Sequence, residues 1–112
     1  MGIFYVMPAY EESFFNEYDE RKFLGECCKV IGCDLVEMHL MRADIAMWVD
    51  EEATITGQPK NIPATLAMSS ARGYLHPVYG TAVFTGYRKN KETHLPVDFH
   101  SLVADCLIVR LR

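Results

Sequence analysis

Glu37 and His39 are the first residues along the chain whose types and spacing could support chemistry. They stand two positions apart in an alternating apolar pattern, so both side chains lie on one face of a predicted strand. An imidazole beside a carboxylate can act as a general base or as a ligand. The alternative, which we favour, is an outward-facing polar pair that contacts the neighbouring strand.

Two charged clusters follow other predicted strands. The acidic run at 50–52 could chelate a hard cation, but the spacing of a regular calcium-binding loop is absent and a solvated turn is favoured. Arg88, Lys89 and Lys91 form the densest basic patch of the chain. They could contact a phosphate group, although a charged loop at a strand end is more often solvated.

A ligand site is predicted around the start of a short helix. Asn61 follows an irregular loop with two prolines and is a typical N-cap residue, and the N–H groups of a helix start attract anions. Aromatic side chains could stack on a base while arginines hold phosphate. For Trp48, packing in the core is the favoured alternative. The predicted ligand-binding residues are Trp48, Asn61, Arg72, Tyr79, Gly80, Thr81 and Arg88.

The cysteines and histidines lack the spacing of a zinc site, because no C-x-x-C pair occurs and the histidines stand singly. We therefore expect no metal and no cofactor. The motifs of serine hydrolases, zinc peptidases and P-loop proteins are also absent, so no catalytic residue is assigned and catalysis is the minority interpretation. Cys27 and Cys28 fall in a helical pattern and are expected to be small buried residues.

Length and composition describe one small domain. The chain has 112 residues, of which 50% are hydrophobic, and a formal net charge of -4. These values predict a single domain over residues 1–112 that can bury a core without metals or disulfides. Without a basic face, binding to a nucleic acid polymer is not expected. No run of ~20 apolar residues could cross a bilayer, so we expect a cytoplasmic protein.

The apolar alternation predicts a mostly antiparallel sheet of about four to five strands. The polar segment 42–44 is short enough to join two strands as a β-hairpin. Phe14 and Phe15 are expected to fold back onto the core, because two adjacent exposed Phe side chains favour aggregation. The predicted strands are 3–7, 35–41, 45–49, a very short 54–56, and 79–87, which is followed by a loop at 88–94.

Capping signals predict two main helices and one short helix. Asn16 as N-cap and Gly32 just past the end bound the first main helix. Asn61 begins the short helix, which is expected to end at Gly73, and the second main helix begins after Asp98. Residues 106–111 fit either the end of that helix or a last strand. Together with the sheet, these helices predict a single small α+β domain.

The segments WVDEEATITGQPKNIPAT (48–65) and YGTAVFTG (79–86) resemble a family of small uncharacterised domains of phages, plasmids and other mobile elements. The matching positions are Asp50, Glu51, Glu52, Gly57, Pro59, Asn61, Tyr79, Gly80 and Thr81. The chain departs from the pattern with Asp at position 50, where Asn is expected, and with a long segment between Asn61 and Tyr79. The resemblance covers about half the chain. It implies a compact α+β fold and a phage-like origin, with related domains beside anti-restriction modules, and it implies no activity.

A binding module fits this character better than an enzyme. We expect a non-enzymatic phage or mobile-element protein, a counter-defence factor that sequesters a small nucleotide-derived signal molecule in the host cytosol. One alternative is an inhibitor that binds and blocks a host defence protein, and a second is a small hydrolase of a nucleotide-like substrate. The high apolar fraction of a short chain predicts a homo-oligomer.

Overall fold

Six strands form one antiparallel sheet in the computed structural model of the chain, which describes residues 2–103. The strands are β1 (Gly2–Met7), β2 (Phe14–Tyr18), β3 (Val36–Arg42), β4 (Ile45–Asp50), β5 (Ala82–Arg88) and β6 (Lys91–Thr93). The helices with both ends in this range are a 3-10 helix (Glu20–Lys22), α1 (Phe23–Ile31) and α2 (Ile62–Arg72). The predicted α+β class is confirmed, with six strands rather than four to five.

Strand β5 lies at the centre of the sheet. Along one of its two edges it pairs first with β1 and then with β6. The strand order is β2-β1-β5-β4-β3, with β6 paired to β5 beside this path. Residues 82–84 of β5 pair with β1, and residues 86–88 pair with β6. Gly86 stands at this change, where a Cβ atom would lie 1.9 Å from the carbonyl oxygen of His94. Only glycine lets the end of β6 approach β5 so closely.

One face of the sheet packs against α2 and the helical residues 99–103, and the other face packs against α1. In β4 the predicted alternation is confirmed, because Met47 and Val49 face the core on the α2 side while Trp48 packs against the core on the α1 side. The α2 core consists of Met7, Met41, Ile45, Met47, Val49, Ala64, Ala67, Met68, Val78, Ala82, Phe84, Phe99 and Val103. The α1 core consists of Phe4, Val6, Tyr18, Phe23, Cys27 and Val83.

The predicted ends of both helices are confirmed. Gly32 and Gly73 have φ angles of 82° and 77°, and their N–H groups donate to the carbonyls of Cys28 and Ser69. A residue without a Cβ atom tolerates this left-handed conformation. At the other end of α2, the Asn61 side chain accepts a hydrogen bond from the Ala64 N–H, as expected of an N-cap.

The predicted start of the first helix is wrong. Asn16 is not a cap but lies in β2, opposite Phe4 of β1. The cap is Asp19, whose Oδ1 accepts from the Arg21 N–H at 3.0 Å and begins the 3-10 helix. The strand forms here because Phe14 to Tyr18 completes a ladder with β1, and tertiary pairing of this kind overrides a local capping signal.

Three further expectations need correction. Phe14 and Phe15 do not fold onto the core, since edge strand β2 leaves them 44% and 52% exposed. Residues 54–56 form no strand but continue a turn, where the Thr56 N–H donates to the Glu52 carbonyl at 2.9 Å. The loop expected at 88–94 is instead the β5–β6 hairpin, because β5 offers a free edge beyond its pairing with β1.

The C-terminal helix is confirmed only as far as the structure describes it. Residues 99–103 are helical, and the alternatives for 106–111 lie outside the described residues, as does Cys106. Cys27 is fully buried, and burial raises the pKa of its thiol to about 12, so the buried role predicted for it is confirmed. Cys28 is half-buried. Among residues 2–103, none of the helices has the length and hydrophobicity to span a membrane.

Candidate functional site

The loop before α2 forms a buried junction around Asn61. This side chain is completely buried, and its Nδ2 donates to the carbonyls of Met7 and Gly80, each at 2.8 Å. Gly80 has a φ of 76° and donates its N–H to the Pro59 carbonyl at 2.7 Å, so the backbone of the preceding loop approaches it closely. The Asn61 N–H reaches the Val78 carbonyl at 2.7 Å. Asn61 therefore joins three chain segments.

The start of α2 has few free donors for a ligand. The Ala64 N–H donates to Oδ1 of Asn61 at 3.0 Å, and the Thr65 N–H donates to the Asn61 carbonyl at 3.0 Å. Pro63 has no N–H group. At most the N–H of Ile62 is left without a partner in the first turn. The start of α2 can therefore donate at most one hydrogen bond to a phosphate from this turn.

The seven residues predicted to bind a ligand do not form one site. Trp48 lies on the α1 face, where its Nε1 donates to Thr85 Oγ1 at 2.9 Å and its ring packs edge-on against Phe23. Arg72 ends α2 and donates to the Leu40 carbonyl at 3.0 Å. The other five divide between the buried junction (Asn61, Gly80), the half-buried Thr81 that follows it, the groove described next (Tyr79) and the β5–β6 hairpin (Arg88).

A groove of about 240 Å³ lies on the α2 face beside edge strand β3. We call it the histidine groove; its lining residues are Glu37, His39, Met47, Val49, Asp50, Glu51, Ala53, Thr54, His76, Pro77, Val78 and Tyr79. Nε2 of His39 lies 3.1 Å from Oε1 of Glu37, so the sequence pair does share one face. The rings of His39 and His76 meet nearly perpendicularly, with centroids 5.0 Å apart.

His76 is the residue of this groove that the sequence did not indicate. It stands alone in an irregular segment, 37 positions after His39, and only the folding of 74–79 against β3 brings the two together. Its N–H donates to Ser69 Oγ of α2 at 2.9 Å. Burial lowers the pKa of His76 below its usual value; the nearby His39 and Arg72 act in the same direction, and Glu37 acts against them.

A larger cleft of about 480 Å³ lies at the β5–β6 hairpin. We call it the hairpin cleft; its lining residues are Tyr18, Glu20, Arg88, Lys89, Lys91, Glu92, Thr93 and His94. The hydroxyl of Tyr18 donates to Glu92. Burial, and then this hydrogen bond, raise the pKa of Tyr18 well above its usual value. This hydrogen bond connects β6 to β2, and it gives the Glu92 carboxylate a partner within the protein.

The hairpin turn concentrates positive charge. Arg88 and Lys91 are directly paired across the two strands, and Lys89 and Asn90 between them have φ angles of 53° and 61°. Two consecutive positive φ angles are typical of a type I′ turn, in which Asn is common and Lys is not. Within residues 2–103, no ion pair involves Arg88, Lys89 or Lys91.

Residues 2–106 match the model of a family described as a domain of unknown function, DUF3846. No curated protein and no solved structure matches the chain. The match covers nearly the whole chain, including both the groove and the cleft. The chain therefore belongs to the DUF3846 family.

Proposed function

We propose that the protein is a non-enzymatic binding protein that holds a small nucleotide-like anion in the hairpin cleft. The carrying observation is the direct pairing of Arg88 with Lys91, with Lys89 in the turn between them. Like charges directly opposite each other destabilise a strand pair, and a Lys in the left-handed region adds strain. A bound phosphate group would neutralise this repulsion, so the unfavourable arrangement has a function when an anion is present.

The size and chemistry of the cleft fit such a ligand. Its volume of about 480 Å³ lies within the ~300–1,000 Å³ of small-molecule sites. Three cations face two carboxylates there, which leaves a local excess of positive charge in a chain whose formal net charge is -4. Such a local excess attracts anions to one place on an otherwise acidic surface. Thr93 and His94 add hydrogen-bonding groups for the rest of the ligand.

In its finer form, the proposal is that a phage or mobile element uses this protein against host defence. A protein that binds a nucleotide-derived signal and does not convert it lowers the free concentration of that signal. The support is the sequence resemblance to domains of mobile elements, together with the anion-binding character of the cleft. Sequestration of this kind requires affinity and slow release, not a catalytic residue.

The test is a thermal-unfolding screen of the full chain with ADP, ADP-ribose and cyclic dinucleotides. A ligand at about 100 times its Kd stabilises the folded state by ~2.7 kcal/mol through mass action. We expect this stabilisation in the wild type and in Lys29→Ala, which removes an exposed cation on α1, and its loss in Arg88→Ala/Lys91→Ala. The absence of any shift, or an equal shift in all three proteins, would refute the proposal.

The fate of the ligand separates binding from catalysis. After incubation with the protein, chromatography of the nucleotide should return it unchanged. Conversion to a product would instead favour the small hydrolase, for which the Glu37–His39 pair is the observed acid–base candidate.

A second candidate function is the blocking of a host protein through the edge of β2. This strand has no partner on its outer side among the described residues and exposes Phe14 and Phe15. Ile3 of β1 is also 46% exposed and lines the same groove as Phe15. Exposed edge strands and aromatic patches are used for binding between proteins. We expect Phe14→Ser/Phe15→Ser to abolish capture of a host protein, and Leu24→Ser on α1 to leave it unchanged.

The same edge is the proposed contact for a homo-oligomer. Two copies could pair their β2 strands about a two-fold axis and cover the exposed phenylalanines of both. Light scattering at micromolar concentration should then give a mass above that of one 12.8 kDa chain, and Phe14→Ser/Phe15→Ser should reduce it. A wild-type mass equal to one chain would contradict the homo-oligomer.

A further inference from the structure

We propose that Cys28 and Cys33 are a redox modification site, a thiol pair that a small disulfide such as oxidised glutathione converts into a reversible intramolecular disulfide. Cys28 lies in the last turn of α1, and Cys33 directly follows Gly32, which ends the helix. Both residues are half-buried and both thiols are free. Neither residue lines the hairpin cleft, so the proposal does not depend on the function proposed there.

The backbone at the end of α1 brings the two cysteines together. The N–H groups of Gly32 and Cys33 both donate to the Cys28 carbonyl, at 2.8 and 3.0 Å. The second of these bonds is that of the Schellman motif, in which the side chains of the two bonded residues often contact each other. With standard bond lengths, it leaves the two Cα atoms no more than about 6.8 Å apart. Disulfides span Cα separations of ~4.4–6.8 Å.

The sulfur of Cys28 points toward the segment that follows the helix. Its thiol donates to the carbonyl of Asp34, the neighbour of Cys33, at 3.6 Å. Burial raises the pKa of the Cys33 thiol to about 12, and the nearby Cys28 and Asp50 act in the same direction. A hydrogen bond between the side chains of the two cysteines adds to this effect. The two thiol groups are therefore direct neighbours.

The exchange balances with the external disulfide as the oxidant. The Cys28 thiolate attacks one sulfur of oxidised glutathione, forms a mixed disulfide and releases one glutathione thiolate. Cys33 loses its proton to solvent, and its sulfur then attacks Sγ of Cys28 and releases the second glutathione. The protein loses two protons and two electrons, and one oxidised glutathione becomes two reduced molecules. Because Cys28 carries no charge in the mixed disulfide, it does not repel the Cys33 thiolate in the second step.

Cys27, the neighbour of Cys28, is not a competing partner. Its side chain is fully buried in the α1 core, and burial raises the pKa of its thiol to about 12. Adjacent residues of a helix point in directions ~100° apart, so their side chains do not face each other. The thiol of Cys27 therefore faces the sheet, while that of Cys28 lies at the helix end.

The test is peptide mapping of the folded full chain after incubation with oxidised glutathione and alkylation of the remaining thiols. Trypsin cleaves after Lys29, so Cys28 and Cys33 fall in separate peptides, 23–29 and 30–42. The proposed disulfide joins these two peptides. We expect the joined pair in the wild type, and its loss when dithiothreitol is added before the alkylation.

Variants assign the bond to the two cysteines. Cys27→Ala and Cys106→Ser should give the joined peptides as the wild type does, and Cys28→Ser should not. In Cys33→Ser we expect glutathione to stay attached to Cys28, because the second attack has no nucleophile. The proposal is overturned if the wild type gives no joined peptides, if Cys28→Ser still gives them, or if Cys27→Ala loses them.

Discussion

The hairpin cleft and the histidine groove lie in the same small domain and carry opposite charge. Three cations and two carboxylates line the cleft, whereas three carboxylates and no lysine or arginine line the groove. The cleft takes most of its charged residues from seven consecutive positions, 88–94, while the groove takes its two histidines from positions 37 residues apart. One small domain therefore carries a positively charged cleft whose charges are adjacent in sequence and a negatively charged groove that forms only after folding.

The two sites also depend on different structural supports. The cleft is held by the approach of β6 to β5 at Gly86 and by the Tyr18–Glu92 hydrogen bond. The groove depends on the buried junction around Asn61, which holds Val78 and Tyr79 beside β3. Because these supports share no residue, each can be removed to test whether the sites are independent.

The largest expected effect is that of Asn61→Ala. The substitution leaves the carbonyls of Met7 and Gly80 and the N–H of Ala64 without their side-chain partner in a buried place. We expect a loss of about 4 kcal/mol in the free energy of unfolding, measured by urea denaturation. Asn16→Ala on the half-exposed β2 strand is the control and should cost less than ~0.5 kcal/mol. Similar losses in the two variants would contradict the role of the junction.

Gly86→Ala tests the support of the hairpin cleft. The new Cβ atom would meet the carbonyl oxygen of His94 at 1.9 Å, so β6 must move away from β5. We expect a loss of about 3 kcal/mol in unfolding free energy and loss of anion binding. Gly25→Ala in α1 is the matched control, because its new Cβ atom meets nothing within 4 Å. This substitution should stabilise the helix by ~0.5–1 kcal/mol. If Gly86→Ala still binds the anion, binding in the cleft does not depend on the position of β6.

The local parts of the fold were predictable from the sequence. The hairpin of β3 and β4, the Asn61 cap and the glycines after both helices follow from short patterns that the structure confirms. The helix predicted to start at Asn16 does not begin there, because polar residues are found both at helix caps and in edge strands. Only the pairing with β1 decides that this segment is a strand. Long-range pairing is not encoded in any short window, so β2 and β6 were missed.

The same limit applies to the candidate sites. The basic patch at 88–91 was visible because its charges are adjacent in sequence, and Glu37 with His39 because strand alternation places them together. His76 was not visible, because nothing near it indicates that its segment folds against β3. The burial of Asn61 was also not predictable, since an N-cap is usually exposed and its second role here is to join β1 with the segment before β5.

Lys91→Glu should show that the charge of the cleft serves binding and not stability. The substitution converts the like-charge pair with Arg88 into an opposite-charge pair across the strands. We expect the free energy of unfolding to rise by about 0.5 kcal/mol while the anion-induced thermal shift disappears. Lys29→Glu carries the same charge change on α1 and should keep the ligand response. A less stable Lys91→Glu protein would contradict repulsion between Arg88 and Lys91.

The smallest expected effect concerns an ion pair that joins the end of β3 to Asp98, just before the helical residues 99–103. Arg42, at the end of β3, donates to both oxygens of Asp98 at 2.8 and 3.0 Å and also to Asp44. Hydrogen bonds from this guanidinium hold the pKa of both carboxyl groups below the ordinary 3.8. A carboxyl group with a lowered pKa in the folded state stabilises the fold above its unfolded pKa, and this stabilisation is lost as the pH falls through the folded value.

Acidification should therefore reveal the contribution of Arg42. Between about pH 5 and about pH 2, we expect the wild type to lose more of its free energy of unfolding than Arg42→Gln, which keeps a hydrogen-bonding side chain without the charge. The difference is small because all three side chains are substantially exposed, and salt screens exposed pairs. If both proteins lose equal stability over that range, the ion pair contributes nothing to the free energy of unfolding.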